Sequence, residues 1–181
     1  MVRFGWLLAA AAMGWVASLS TSASVQQGGG AKPPTEQPAA KNAGDLSAEE
    51  EDALAQTGEE TLERVCIQCH SSEVITRTRR LGSDWNEVVT TMANQGAIGT
   101  DGQFATLEQY LTRYYGLVNV NTASAEELSA VLGLSRKDAA AVVEYRNVHG
   151  KFADGASLLK VEGVNTSKIE AQLKALRFDG A

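Results

Sequence analysis

The sequence is poor in the residues that cross-link small proteins or build polydentate sites. Its 181 residues hold two cysteines, Cys66 and Cys69, and the motif they form uses both, so no disulfide framework remains to be explained. There are two histidines, His70 and His149, far apart in the chain, so a second Cys/His cluster that would complete a zinc site is missing. All three prolines, Pro33, Pro34 and Pro38, fall in one short stretch. Lysine is absent between residues 46 and 116, where five arginines face twelve Asp and Glu, a net charge of −7. Apolar runs are also scarce: Phe4 to Ser18 is too short and too rich in Ala and Gly to suggest a membrane span, and no second one appears. No Ser/His/Asp set, paired-carboxylate site or phosphate loop stands out, and the expectation is a protein that is not an enzyme.

What is present falls into four stretches: 1–24, 25–46, 47–116 and 117–181. Met1-Val2-Arg3, the apolar run to Ser18 and the small residues Ser20 to Ser24 have the layout of a secretory signal peptide, cut after Ala23 or Ser24. An uncleaved N-terminal anchor is the alternative, while the lack of a cysteine near the cut argues against a lipid anchor. The expected location is periplasmic or extracellular. Residues 25 to 46 carry the prolines, Gly28-Gly29-Gly30 and many Ala and Gln. Such a composition cannot bury enough apolar surface to offset its ordering entropy, and it reads as a flexible linker.

Cys66-Ile67-Gln68-Cys69-His70 is the attachment signature of a c-type haem. The spacing suits two thioethers to the haem vinyl groups, with His70 next in line as the proximal ligand to iron. A redox Cys-x-x-Cys pair or half of a zinc site are the other readings; a βαβ context for the first and a second ligand cluster for the second are both lacking. Covalent haem attachment outside the cytoplasm agrees with the leader. For the distal position, Met92 is the one methionine outside the leader. Trp85, Val88, Val89 and Met92 recur at i, i+3, i+4 and i+7, so Met92 lies on the apolar face of a helix, either as the thioether ligand or as one more core residue. His149 is a weaker candidate because it belongs to the second block. Arg77, Arg79 and Arg80 are the basic cluster of this acidic block, suited to haem propionates or to a solvated loop.

Ser47 with Glu50 forms a capping box, and Leu54, Gly58, Leu62 and Val65 follow at helical spacing into the cysteine motif. Gly58, Leu62 and Cys66 share one helix face. Residues 47–116 thereby resemble small monohaem cytochromes c, in which a glycine and a large apolar residue at those offsets contact the C-terminal helix. The resemblance implies a partner helix through Leu107, Tyr110, Leu111 and Tyr114. The run from Cys66 through Trp85, Met92 and Gln95-Gly96-Ala97 to Tyr110-Leu111 is similar to short cytochrome domains of periplasmic quinoprotein and alcohol-dehydrogenase-type systems. A periplasmic dehydrogenase or oxidase is the redox partner this suggests, and the acidic surface suits a basic docking patch or simply confers solubility.

Residues 117–181 balance eight basic against eight acidic residues. Ser124 with Glu127 makes a second capping box, Gly133-Leu134-Ser135 a tight turn, and Ser135 the cap of a helix reaching His149 and stopped by Gly150. Val161-Glu162-Gly163-Val164-Asn165 is a second turn of the same kind, before a last helix from Thr166 to about Leu176. The block is an internal repeat. It resembles the tandem helix-hairpin-helix domain of the competence protein ComEA family through Val118-Asn119-Val120-Asn121-Thr122-Ala123-Ser124-Ala125-Glu126-Glu127-Leu128, Tyr145-Arg146, Gly150-Lys151-Phe152 and Leu158-Leu159-Lys160-Val161. The resemblance implies hairpin turns and helix N-termini that present backbone N–H groups to DNA phosphates. This copy departs from that pattern. Ser135 and Asn165, both good N-caps, replace the second hairpin glycines, Asp138 stands where a lysine is common, and Lys168 is retained.

The expected fold is all-α: a small cytochrome c fold followed by a tandem helix-hairpin-helix domain. The expected function is an exported monohaem c-type cytochrome carrying single electrons, held through His70, Met92, Cys66 and Cys69, with the hairpin module docking to a partner. The alternative is a periplasmic or surface DNA-binding protein of competence type whose haem is structural or redox-sensing.

Overall fold

The computed structural model describes residues 44–179; the leader and nearly all of the linker lie outside the described residues. Eight helices and three short strands alternate along this stretch. Helix α1, Ala48–Val65, is capped by Ser47, whose hydroxyl accepts from the Glu50 N–H while the Glu50 carboxylate accepts from the Ser47 N–H. After the short α2, Ser72–Thr76, come β1, Arg80–Leu81, and α3, Gly82–Asn94. Helix α4, Asp101–Tyr115, starts from a Thr100/Gln103 capping box that the sequence reading passed over. It runs straight into β2, Gly116–Asn119.

The second block holds α5, Ala125–Leu132, and α6, Arg136–His149, joined by the left-handed Gly133. Then follow α7, Gly155–Leu158, α8, Thr166–Ala171, a 3-10 turn over Leu173–Ala175 and β3, Leu176–Arg177. Among the described residues no helix is long and apolar enough to cross a membrane.

The helical character is as expected, with three local corrections. The chain is not purely α: β2 pairs in parallel with β1 on one side and β3 on the other, a narrow sheet that pairs Arg80 with Gly116 and Leu176 with Val118. The last helix ends at Ala171 instead of near Leu176, since Gln172 leaves the helical region and the chain tightens into the 3-10 turn. Asn165 makes no side-chain cap; its backbone N–H donates to Asp138 Oδ2 at 3.3 Å, which links the two hairpins. The predicted Ser124/Glu127 box and the Ser135 cap both form. An additional box, Asp154 with Ser157, starts α7.

Two apolar cores result. Leu54, Leu62, Val65, Trp85, Val89, Leu107, Tyr110 and Leu111 form one, among α1, α3 and α4. Gly58 of α1 lies against Tyr110 of α4, where an added Cβ would collide with the aromatic ring. That is the helix contact expected from the Gly58-Leu62-Cys66 face. Burial and the Tyr115 hydroxyl beside it push the Tyr110 phenol well up, so it stays protonated. The other core centres on Leu128, Leu132, Leu134, Val142, Leu158 and Ile169 of the hairpin repeat.

The blocks pack as one unit. Buried Arg113, at the end of α4, donates from Nη1 to Val131 O at 3.0 Å and from Nη2 to Glu51 Oε1 at 3.0 Å. Glu51 Oε1 also faces Lys168 Nζ at 3.3 Å. Gly44 is buried against Ser129 and Leu134 of the first hairpin, so the end of the predicted linker is in fact packed.

Asn121 organises the end of the hairpin block. Its Nδ2 donates to Phe152 O at 3.0 Å and Phe178 O at 2.9 Å, and its Oδ1 accepts from the Phe152 N–H at 2.8 Å. Asn121→Ala removes three hydrogen bonds to backbone groups that are partly shielded from water, each worth roughly 1 kcal/mol. The expected loss is about 2–3 kcal/mol in chemical denaturation, and a variant as stable as the parent would refute this bracing role.

Candidate functional site

The cysteine motif begins where α1 ends. Cys66 is the C-cap residue, and the carbonyl of Cys66 accepts from the N–H groups of Cys69 at 3.2 Å and His70 at 3.1 Å. This tight turn places Cys66, Cys69 and His70 together on the wall of a cavity of about 440 Å³. That volume lies within the range of roughly 300–1,000 Å³ usual for cofactor and small-molecule sites.

Met92 faces the same cavity from α3, together with Trp85, Val88 and Val89, the four residues the spacing put on one face. A hydrogen-bonded C-terminal turn holds Met92 in place. Ala97 N donates to Met92 O at 3.0 Å and Gly96 N to Ala93 O at 3.1 Å, the Schellman pattern, with Gly96 at φ 100°. Space does not demand glycine there, since nothing lies within 4 Å of a built Cβ; the left-handed backbone does. The remaining wall is mostly apolar and comes from α2 and α4, including Ile75, Phe104, Leu107 and Leu111.

The structure therefore gathers all four predicted site residues around one cavity. It separates the three arginines. Arg80 lines the cavity, with its guanidinium 5.9 Å from the Trp85 ring centre. Arg77 instead pairs with Glu73 at 3.4 Å on the exposed face of α2, and Arg79 donates to Gly116 O at 3.5 Å. His149 is remote from this wall; its ring lies 4.3 Å from that of Tyr145 on α6. Trp85 carries a feature that its place on the apolar face did not mark: its side chain lines the cavity, and its buried Nε1–H has no hydrogen-bond partner. Its place on the apolar face marked it only as core.

Burial pushes the Cys66 thiol up from its usual range. A redox Cys-x-x-Cys pair needs the opposite, a thiol whose pKa is depressed. Among the described residues no three His, Cys, Asp or Glu side chains cluster as a metal site would require, so the zinc reading gains no partner.

The hairpin block offers a different surface. Ser129 Oγ donates to Leu134 O at 2.8 Å and locks the first turn, whose Gly133 has φ 66°. Arg113 crowds that glycine closely enough that a Cβ would strike its guanidinium. At the start of α6 the Arg136 side chain meets Asp45 at 3.0 Å.

Residues 114–177 match the family model of the helix-hairpin-helix motif, as the repeat and its turns indicate. Stretches of similar length match curated proteins. An uncharacterized protein of Haemophilus influenzae is 41% identical over 62 residues, 34% of this chain and 55% of that protein. ComE operon protein 1 of Bacillus subtilis is 37% identical over 54 residues, 30% of this chain and 26% of the relative. Endonuclease/exonuclease/phosphatase family domain-containing protein 1 of Rattus norvegicus is 40% identical over 53 residues, 29% of this chain and 9% of the relative. The chain thus spans between about a tenth and about half of the length of these relatives. No solved structure matches it.

Proposed function

We propose that residues 47–116 hold one covalent c-type haem and that the protein, exported from the cytoplasm, carries single electrons. The observation that supports this is the convergence of Cys66, Cys69, His70 and Met92 on one largely apolar cavity. The residues fit the group. Cys66 and Cys69 are free thiols, one half-buried and one exposed, available as thioether tethers. His70 and Met92 would hold the iron through a nitrogen and a sulfur. Arg80, on the cavity wall, carries a guanidinium suited to a propionate. Haem, when bound, supplies a one-electron iron couple whose potential depends on its axial ligands and surroundings. The chain contributes the rest: α3 and α4 exclude water with Val88, Val89, Phe104 and Leu107, and the Gly96 turn keeps the Met92 thioether on the wall. Held by both His70 and Met92, the group would be suited to passing electrons rather than to binding a substrate. The hairpin module would dock the carrier to a redox partner, such as a periplasmic dehydrogenase or oxidase.

Expression in a host that matures c-type cytochromes tests this. Haem should stay with the polypeptide after denaturation, and the ferric protein should show the sulfur-to-iron charge-transfer band of methionine ligation. Met92→Ala should abolish that band and lower the midpoint potential while leaving the haem covalently attached. A parent protein that carries no haem from such a host would sink the proposal.

A second reading is favoured by the comparisons, which bear on the hairpin module and support it better than they support electron transfer. The helix-hairpin-helix match over 114–177 and the similarity to ComE operon protein 1 suggest a DNA-binding protein of competence type, with a structural or redox-sensing haem. Gel shifts of the purified mature protein on duplex DNA at two salt concentrations separate the readings: tight, salt-sensitive binding supports this one.

A further inference from the structure

Two cations of the hairpin block, Arg136 and Lys168, and the N-terminus of α6 are met by carboxylates from earlier in the chain, Asp45 and Glu51. Asp45 Oδ1 accepts from the backbone N–H of Arg136, the first residue of α6, at 3.4 Å, while Asp45 Oδ2 pairs with Arg136 Nε at 3.0 Å. One carboxylate thus takes up both a helix N-terminal N–H and a guanidinium, the pair of donors a phosphate would use. Glu51 Oε1 lies 3.3 Å from Lys168 Nζ and 3.0 Å from Arg113 Nη2, so a second carboxylate covers the lysine retained in the second hairpin. Gly44 is pressed against Ser129 and the Leu134 carbonyl of the first hairpin turn, which leads the chain across that turn and delivers Asp45 beside it.

From this arrangement we propose an autoinhibitory contact: the segment 44–51 masks the hairpin face, its carboxylates standing in for nucleic-acid phosphates. The inference rests on the DNA-binding reading of the module. It accounts for a helix-hairpin-helix repeat in which Arg136 and Lys168 already face carboxylates within the chain. It also couples the two halves of the protein. Glu51 belongs to α1, the helix that ends in Cys66, and Arg113 to α4, the helix that packs Tyr110 on Gly58. Any rearrangement of α1 on α4 therefore moves Glu51 relative to Lys168.

The test uses the full haem-loaded protein and a fluorescent random-sequence duplex, with anisotropy read at ~50 and ~200 mM salt. The double variant Asp45→Asn/Glu51→Gln should bind about tenfold more tightly than the parent at the lower salt, with affinity falling as salt rises. Adding Lys168→Ala should remove most of that gain. Because Glu51→Gln withdraws the carboxylate from buried Arg113, circular dichroism must first show a folded variant. If it is unfolded, the single Asp45→Asn variant, at a partly exposed position, decides by a smaller gain of the same sign. Equal affinity of parent and folded variant overturns the mask and leaves the DNA reading standing. Binding by neither overturns both.

Discussion

Replacing Gly58 by leucine should lower the melting temperature by about 6–12 °C, the shift expected for roughly 3 kcal/mol in a chain of this size. The glycine is not there for its backbone, which is ordinary helix; it is there because the Tyr110 ring occupies the place of its side chain. Leucine would have to push α1 and α4 apart or force Tyr110 off its rotamer. Overpacking of this sort usually costs 1–3 kcal/mol, and here the obstacle is an aromatic ring held by Tyr114 at 5.0 Å and Tyr115 at 5.9 Å between ring centres. Gly58→Ala should move in the same direction by a smaller amount. Since α1 carries Cys66 and α4 carries Leu107 and Leu111, the damage should reach the cavity. The leucine variant should mature with less haem as well as melting earlier. An unchanged melting curve would mean that the two helices do not pack at this point.

The double variant Cys66→Ser/Cys69→Ser should lose covalent haem completely. A serine hydroxyl does not add to a vinyl group under the conditions that attach a cysteine thiol, so each substitution removes one tether. Either single variant should keep haem through the remaining thioether, at lower yield, with the difference visible as a change in the α-band of the reduced spectrum. Haem staining on a denaturing gel and intact mass read the outcome directly. Staining of the double variant at parental intensity would show that the cysteines are not the attachment points. The apoprotein should also be less stable, because a cavity of about 440 Å³ lined by Val88, Val89, Phe104 and Leu107 would be left without its filling.

Much of the local structure could be read from residue spacing. Ser47 with Glu50, Ser124 with Glu127, and Ser135 with Asp138 each set a helix start through bonds that span three residues. Gly133 and Gly150 lie at positive φ at the ends of α5 and α6, as their places in the hairpin pattern implied. Trp85, Val88, Val89 and Met92 share one face because helical periodicity makes them do so. The misses have a common form. The turn Gly155–Leu158 rests on an Asp/Ser box outside any apolar period, and the end of α8 depends on Gln172, whose type carries no stop signal. Arg77, Arg79 and Arg80 are near neighbours in sequence, yet only Arg80 reaches the cavity, because the chain leaves α2 at Thr76 and turns into β1 across them, which sends the other two elsewhere.

The sequence by itself determined the helices, their caps, the hairpin repeat and the Cys66-Ile67-Gln68-Cys69-His70 motif, since each depends on interactions between residues a few positions apart. Only the tertiary structure decided that Met92 and Trp85 share a cavity wall with that motif, that Arg80 pairs with Gly116 and Leu176 with Val118 in a narrow parallel sheet, and that Glu51 holds both Arg113 and Lys168. Those pairings close loops of tens of residues. Their partners are selected by packing, by burial and by the need to satisfy buried charge, none of which leaves a period in the chain.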